Sequence, residues 1–192
     1  IHGFIKTTLL DYPGHVAATV FTGGCNFRCP FCHNSDLVLQ PHSGPFISED
    51  DIFTHLKKRG KILDGVCISG GEPTLEADLE DFIKIRALGY KVKLDTNGYF
   101  PDTLARLCEQ GLLDYVAMDI KHTPEKYNTV CGMKHFDISR ILSSVSYLKE
   151  RRVSYEFRTT LVREFHDKED MQRLGEWLCG ANAYYLQPYK ES

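Results

Sequence analysis

What this 192-residue chain lacks narrows its reading first. It has no large charge of one sign: 23 Lys and Arg stand against 26 Asp and Glu, a formal net charge of −3. Nothing in that balance favours nonspecific binding to nucleic acid, and no nucleic-acid partner is expected. No apolar run approaches the roughly 20 residues of a membrane span, so no membrane partner is expected either. The opening I-H-G-F-I-K-T-T has no basic stretch ahead of an apolar one, as a secretory leader would. Seven cysteines are an odd number and mostly scattered, unlike the dense, even framework of a secreted disulfide protein. A reducing compartment, most simply the cytoplasm, is expected. The eight histidines show no paired metal spacing such as H-E-x-x-H. No linker, low-complexity tract or internal repeat divides the chain, which is read as one domain over residues 1–192.

What is present centres on residues 22–34, T-G-G-C-N-F-R-C-P-F-C-H-N, where Cys25, Cys29 and Cys32 follow a C-x3-C-x2-C spacing. The short gaps let three thiolates converge on one small inorganic core. Three is one short of the four that a closed iron–sulfur cubane takes. An iron left open can bind a further ligand, as a catalytic zinc keeps one position free. The rival is a Cys3His zinc site with His33 as fourth ligand, although neighbouring Cys32 and His33 point awkwardly at one tetrahedral ion. Cys67, Cys108, Cys131 and Cys179 are expected to be small buried apolar residues.

Along the chain, D-Y-P-G at 11–14 ends a lead segment in a turn. Strands are expected at 16–22, 65–69, 90–95, 113–119, 153–161 and 183–187. Residues 23–46 form the cysteine loop, with Pro41, Gly44 and Pro45 keeping 35–46 irregular. Helices are expected from Ser48 to about Arg59, over 76–88, from Pro101, from Asp137 with an Ile138, Ile141, Leu142, Val145, Leu148 stripe, and after Asp167. Residues 120–136 read as a longer loop. Six strands alternating with five helices imply parallel strands joined by crossovers, either an open arc of a barrel or a doubly wound sheet.

In such folds ligands sit at the C-terminal ends of the strands. Here those ends carry the cysteine loop, then Ser69, Gly70, Gly71 and Glu72, then Asp95, Thr96 and Asn97, then Asp119 and Lys121, then Arg158, and finally Gln187. Gly70 and Gly71 expose a bare backbone edge. Glu72 is an acceptor for an amine, Asp95, Thr96 and Asn97 for a ribose, and Arg158 a partner for a carboxylate. Phe31 offers a ring to a flat base. Together with an open iron, these suit S-adenosylmethionine (SAM).

The chain resembles the radical SAM enzymes. C25-x-x-x-C29-x-F31-C32 matches their cluster motif and G70-G-E-P73 their methionine-amine motif. D11-Y-P-G14, C32-H-N34, L94-D-T-N-G98 and D119-I-K121 resemble the glycyl-radical-enzyme activating group. G3-F-I-K-T-T-L-L-D-Y-P-G, V-A-A-T-V-F-T-G-G-C-N-F-R-C-P-F-C-H-N, V-K-L-D-T-N-G, Y-V-A-M-D-I-K, Y-E-F-R-T-T-L-V and Y-Y-L-Q-P-Y most resemble its short activating proteins of anaerobic ribonucleoside-triphosphate reductase. The resemblance implies a partial (βα)6 TIM-type barrel with the cluster at its C-terminal mouth. Cys25, Cys29 and Cys32 would hold three irons of a [4Fe–4S] cluster, and SAM would chelate the fourth. A flavodoxin or ferredoxin would supply an electron, and the resulting 5′-deoxyadenosyl radical would take hydrogen from a glycine of a partner glycyl radical enzyme. Gly70, Gly71, Glu72, Asp119, Lys121 and Arg158 would contact SAM. Asp95, Thr96, Asp119 and the Ala117 carbonyl align with a monovalent-cation site, and Asp11 with a residue facing the target glycine loop. Where the group often reads D-G-P-G, this chain has Tyr12, which would alter how the partner loop enters. Two other readings are a radical SAM enzyme for a small molecule, such as a 7-deazaguanine-type synthase, and a noncatalytic iron–sulfur electron carrier or sensor.

Overall fold

The structure, a computed structural model, describes residues 1–60, 62–150 and 153–190. Six parallel strands follow one another across a single sheet: β2 (Ala17–Thr22), β3 (Gly65–Gly70), β4 (Lys91–Thr96), β5 (Tyr115–Asp119), β6 (Ser154–Leu161) and β7 (Tyr184–Pro188). Their order in space is their order in sequence. A doubly wound sheet reverses order at a switch point; sequential order winds one way, as a barrel does, and decides between the two expected architectures.

The seventh strand is a correction. The lead segment forms β1 (Gly3–Thr8), which pairs antiparallel with β2 from Gly3 opposite Phe21 to Thr8 opposite Ala17. A βα period could not reveal it, because a strand that reaches its neighbour through a short turn needs no crossover helix. Three further expectations are revised. The cysteine loop contains a short helix, α1 (Ser35–Leu39), and the loop after β5 contains α5 (Tyr127–Cys131). The single helix expected over 76–88 is instead α3 (Leu79–Ile83), tightening into a 3₁₀ turn over Lys84–Leu88. Ile83 and Ile85 are both buried, and residues two apart do not share an α-helical face. In a 3₁₀ turn residues three apart eclipse, and Phe82 and Ile85, three apart across the junction, are both buried.

The other helices start where their caps predict. Ser48 accepts from the Asp51 amide ahead of α2 (Glu49–Arg59), and Asp137 from the Ser139 amide ahead of α6 (Ile138–Lys149). Asp167 and Asp170 form a reciprocal capping box at the start of α7 (Lys168–Trp177). Pro101 opens α4 (Pro101–Glu109).

One face of the sheet is apolar. Val20, Ile68, Leu94, Met118 and Phe157 pack with Leu56, Leu104 and Ile141 from the helices to form the core. The other face carries Thr19, Cys67 and Lys93 side by side in register. The base of that polar face is stopped by Tyr12, 2% exposed, whose ring meets His15 and Tyr115 and lies against Gly65. The Tyr12 substitution thus acts at the N-terminal ends of the strands, opposite the cysteine loop. There it forms a plug in the floor. No helix among the described residues is long and apolar enough to cross a membrane.

Candidate functional site

The cysteine loop leaves β2 and is stitched to three neighbouring elements. The Gly24 amide donates to Leu37 O (2.8 Å), the Glu72 amide to Gly24 O (2.8 Å), and the Arg28 amide to Cys131 O (2.7 Å). Asn34 Nδ2 donates to Gly70 O at 2.9 Å. The contact with Gly71 is so close that a Cβ there would lie 1.7 Å from Gly24 O, so no side chain fits. This is one physical reason for the G-G step at 70–71. Phe27 anchors the loop in the core, its ring meeting Tyr99, Tyr127 and Phe136 edge-on.

Cys25, Cys29 and Cys32 are free thiols and line one cavity of about 230 Å³. Its walls include Phe31, Gly70, Gly71, Asp95, Thr96, Asn97, Asp119, Lys121 and Arg158, nearly every residue expected at the rim. Burial pushes the Cys25 thiol up to about 12 and Cys29 to about 11. Metal binding therefore has to displace protons from them. Among the described residues no three Cys, His, Asp or Glu side chains converge as they would around one ion. His33 stacks on Tyr189, its Nε2 lying 3.0 Å from Lys190 O. That arrangement commits one ring nitrogen of His33 to a backbone carbonyl. A cluster, in which each thiolate meets a different iron, does not require single-ion convergence. Three soft sulfur donors on one cavity wall, with N–H groups aimed at Cys25, fit a [4Fe–4S] cluster.

Asp95, Asp119, Lys121 and Arg158 form an ion network that also takes in Lys93 from the polar face. Arg158 Nε and Nη2 each lie 3.0 Å from Asp119 Oδ1, and Nη1 lies 3.5 Å from Asp95 Oδ1. Lys121 Nζ is 3.0 Å from Asp119 Oδ2, and Lys93 pairs with Asp95. Burial acts to raise the Asp119 pKa, but Arg158 and Lys121 outweigh it and hold this carboxylate well below its usual range. Its side chain is 34% exposed, so solvent screens part of that attraction. Three cations, Lys93, Lys121 and Arg158, face Asp95 and Asp119, and Glu156 also acts on Arg158, so the charges of the network are matched. Arg158 and Lys121 also keep N–H donors to spare. Glu156, another acid on that face, accepts from the Tyr115 hydroxyl at 2.8 Å.

Glu72 is a correction. Its carboxylate is wholly buried and does not line the cavity. Oε1 accepts from the Thr74 amide (3.1 Å), the Thr74 hydroxyl and the Thr96 hydroxyl (2.7 Å), and Oε2 from the Asn97 amide (2.6 Å). Held by four protein donors and wholly buried, it presents no acceptor at the cavity wall for an amine. Burial pushes its pKa up, moderated by those donors. Thr96 and Asn97 are likewise engaged. Gly98 N donates to the Thr96 hydroxyl at 3.0 Å and Tyr99 N to Asn97 Oδ1 at 2.9 Å. Phe31 is 6% exposed and packs with Val130, Val162 and Phe165 beside Cys29. Asp11 takes the Thr19 hydroxyl at 2.5 Å and so reaches the polar face from the lead segment.

Sequence reasoning missed Lys93, Asn26 and Phe27. The signal for Lys93 was a lysine on the same strand parity as Asp95 within K-V-K-L-D. Of the scattered cysteines, Cys67 and Cys131 are buried as expected, Cys108 is half-buried and Cys179 exposed.

A sequence profile of the radical SAM superfamily matches residues 19–178. The chain is 33% identical over 195 residues to a protein of Methanocaldococcus jannaschii named as a glycyl-radical enzyme activating enzyme, covering 99% of this chain and 80% of that one. It is 30% identical to the pyruvate formate-lyase-activating enzyme of Listeria monocytogenes, covering 93% and 75%. It is 28% identical to the pyruvate formate-lyase 1-activating enzyme of Escherichia coli, covering 100% and 80%. Among solved structures, Streptococcus suis SuiB bound to S-adenosylmethionine superposes with a TM-score of 0.71 at 16% identity, covering 91% of this chain. The enzyme anSMEcpe with bound AdoMet gives 0.70 at 19%, covering 90%. This chain spans only 40% and 51% of those two solved chains.

Proposed function

This chain belongs to the radical SAM superfamily and to its glycyl-radical-enzyme activating group, and on that premise we propose that it places a radical on a glycine of a partner enzyme. When bound, a [4Fe–4S] cluster supplies one electron and SAM the 5′-deoxyadenosyl radical that takes the glycine hydrogen. Cys25, Cys29 and Cys32 hold the cluster and leave one iron without a protein thiolate. The backbone edge at Gly70 and Gly71 meets the amine of SAM. Lys121 and Arg158 meet its carboxylate with their spare donors, while Asp95 faces the ribose and Phe31 the base. Glu72 works from behind, holding Thr96 and Asn97 in place. Asp11, on the polar face, meets the glycine-bearing loop. The oxygens of Asp95, Thr96, Asp119 and the Ala117 carbonyl suit a hard monovalent cation at the same rim.

The observation that carries this reading is the single cavity onto which the three free thiols, the Gly70–Gly71 edge and the Asp119–Arg158–Lys121 network all open. The proposed partner is anaerobic ribonucleoside-triphosphate reductase, on the motif segments named above. The electron donor is a flavodoxin or ferredoxin, and the setting is the cytoplasm. The test is anaerobic incubation of reconstituted, dithionite-reduced protein with SAM. Formation of 5′-deoxyadenosine is expected, and none would sink the radical SAM activity. Anaerobic ribonucleotide reductase and pyruvate formate-lyase are then offered separately. A glycyl-radical EPR signal on the reductase is expected; a signal only on the lyase reassigns the partner.

A further inference from the structure

We propose that Asn97 is a positioning residue for the cluster: its side-chain amide donates to the Cys25 sulfur and makes the cluster easier to reduce. This rests on the cluster reading of Cys25, Cys29 and Cys32. The amide nitrogen lies 3.7 Å from Cys25 Sγ and 2.8 Å from Asn26 Oδ1. A primary amide has two N–H donors, and these two acceptors use both. The carbonyl end is fixed as well, by the Tyr99 amide at 2.9 Å. The backbone beneath is held by the Asn97 amide on the buried carboxylate of Glu72 at 2.6 Å. At Gly98, φ is +74° and a Cβ would lie against the Met118 methyl, which is why glycine follows Asn97 in this turn. The Asn97 side chain is therefore pinned at both ends and aimed at sulfur.

Cys25 also accepts from the Phe27 amide at 3.3 Å. Two N–H dipoles thus point at one of the three ligand sulfurs. Reduction adds negative charge to the cluster and its thiolates. Donors already aimed at sulfur stabilise the reduced form more than the oxidised one, and such hydrogen bonds help set cluster potentials. A single hydrogen bond to a charged acceptor is of a size to change the reduction equilibrium about tenfold, about 59 mV for one electron. The same geometry leaves Asn97 no N–H donor for a ribose, since both are taken by Cys25 and Asn26. It also gives Glu72 its work, since the G-G-E-P carboxylate holds the backbone from which Asn97 reaches the cluster.

The test compares reconstituted wild type with Asn97→Asp and Asn97→Leu. Asn97→Asp keeps an acceptor for the Tyr99 amide and loses the donor; Asn97→Leu loses the donor without adding charge. EPR-monitored redox titration is expected to show a more negative midpoint in both variants, by about tenfold in the equilibrium. Equal midpoints overturn the proposal. Should either variant fail to fold, the wild type decides alone: with 15N-asparagine label, ENDOR of the reduced cluster is expected to show a 15N coupling in place of a 14N coupling of the unlabelled protein. No coupling overturns the proposal. A wild type that takes up no [4Fe–4S] cluster at all, seen as no iron–sulfur absorbance, overturns both this proposal and the function on which it rests.

Discussion

The two faces of β2–β7 share a backbone and differ in almost everything else. Val20, Ile68, Leu94, Met118 and Phe157 point one way into the helices and are fully buried. Thr19, Cys67 and Lys93 point the other way, toward a rim of Asp95, Asp119, Lys121 and Arg158. Strand alternation alone makes the separation, because successive side chains leave opposite sides of the sheet. The apolar face holds the fold together; the polar face has its charges matched and its groups available. Removing apolar volume should cost stability and spare the chemistry, and changes on the polar rim should do the reverse.

The largest effect is expected at the rim. Cys29→Ala loses the iron–sulfur absorbance and all 5′-deoxyadenosine, while circular dichroism stays native. Full iron content in this variant would sink the ligand assignment. Next is the floor. Tyr12→Ala empties a site that is 2% exposed and should cost about 4 kcal/mol in urea unfolding, with the cluster spectrum unchanged. A changed spectrum would show that floor and rim are coupled. Leu94→Ala on the apolar face should cost about 3 kcal/mol and leave SAM cleavage per folded molecule as it was. Lost cleavage at full cluster loading would break the division between the faces.

The smallest effect concerns acid. Asp119 has a lowered folded pKa, so its contribution is present above the unfolded carboxylate value, about 3.9, and is lost as pH falls below that toward the folded value. The Asp119→Asn variant should therefore show a shallower loss of stability with acid than wild type. Identical acid limbs in chemical denaturation would show that the Arg158 and Lys121 pairing contributes nothing to folding.

Most of the six-strand frame was legible in the sequence because each strand is a short β-branched or apolar run ending in glycine or polar residues. The cysteine loop was legible for a similar reason, since its ligands lie within eight residues. β1 was not, because six residues pairing through a turn leave no helical period behind. The break in the helix over 76–88 was hidden too, since a 3₁₀ turn and an α-helix differ by one hydrogen-bond step. Glu72 was placed at the correct strand end and given the wrong partner. Its burial depends on the Thr74 and Thr96 hydroxyls and the Asn97 amide closing over it, and a motif carries no depth.

By itself the sequence determined where the thiols are and which strand ends carry charge, because spacing and alternation are local and follow from backbone geometry. Only the tertiary structure decided what each polar group touches. Asn97 meets Cys25 across 72 residues of chain, Tyr12 stops the floor of a face built from other strands, and Arg158 lies between Asp95 and Asp119 on two neighbouring strands. Those contacts depend on strand order and register, which are set by packing of the whole sheet rather than by any one segment.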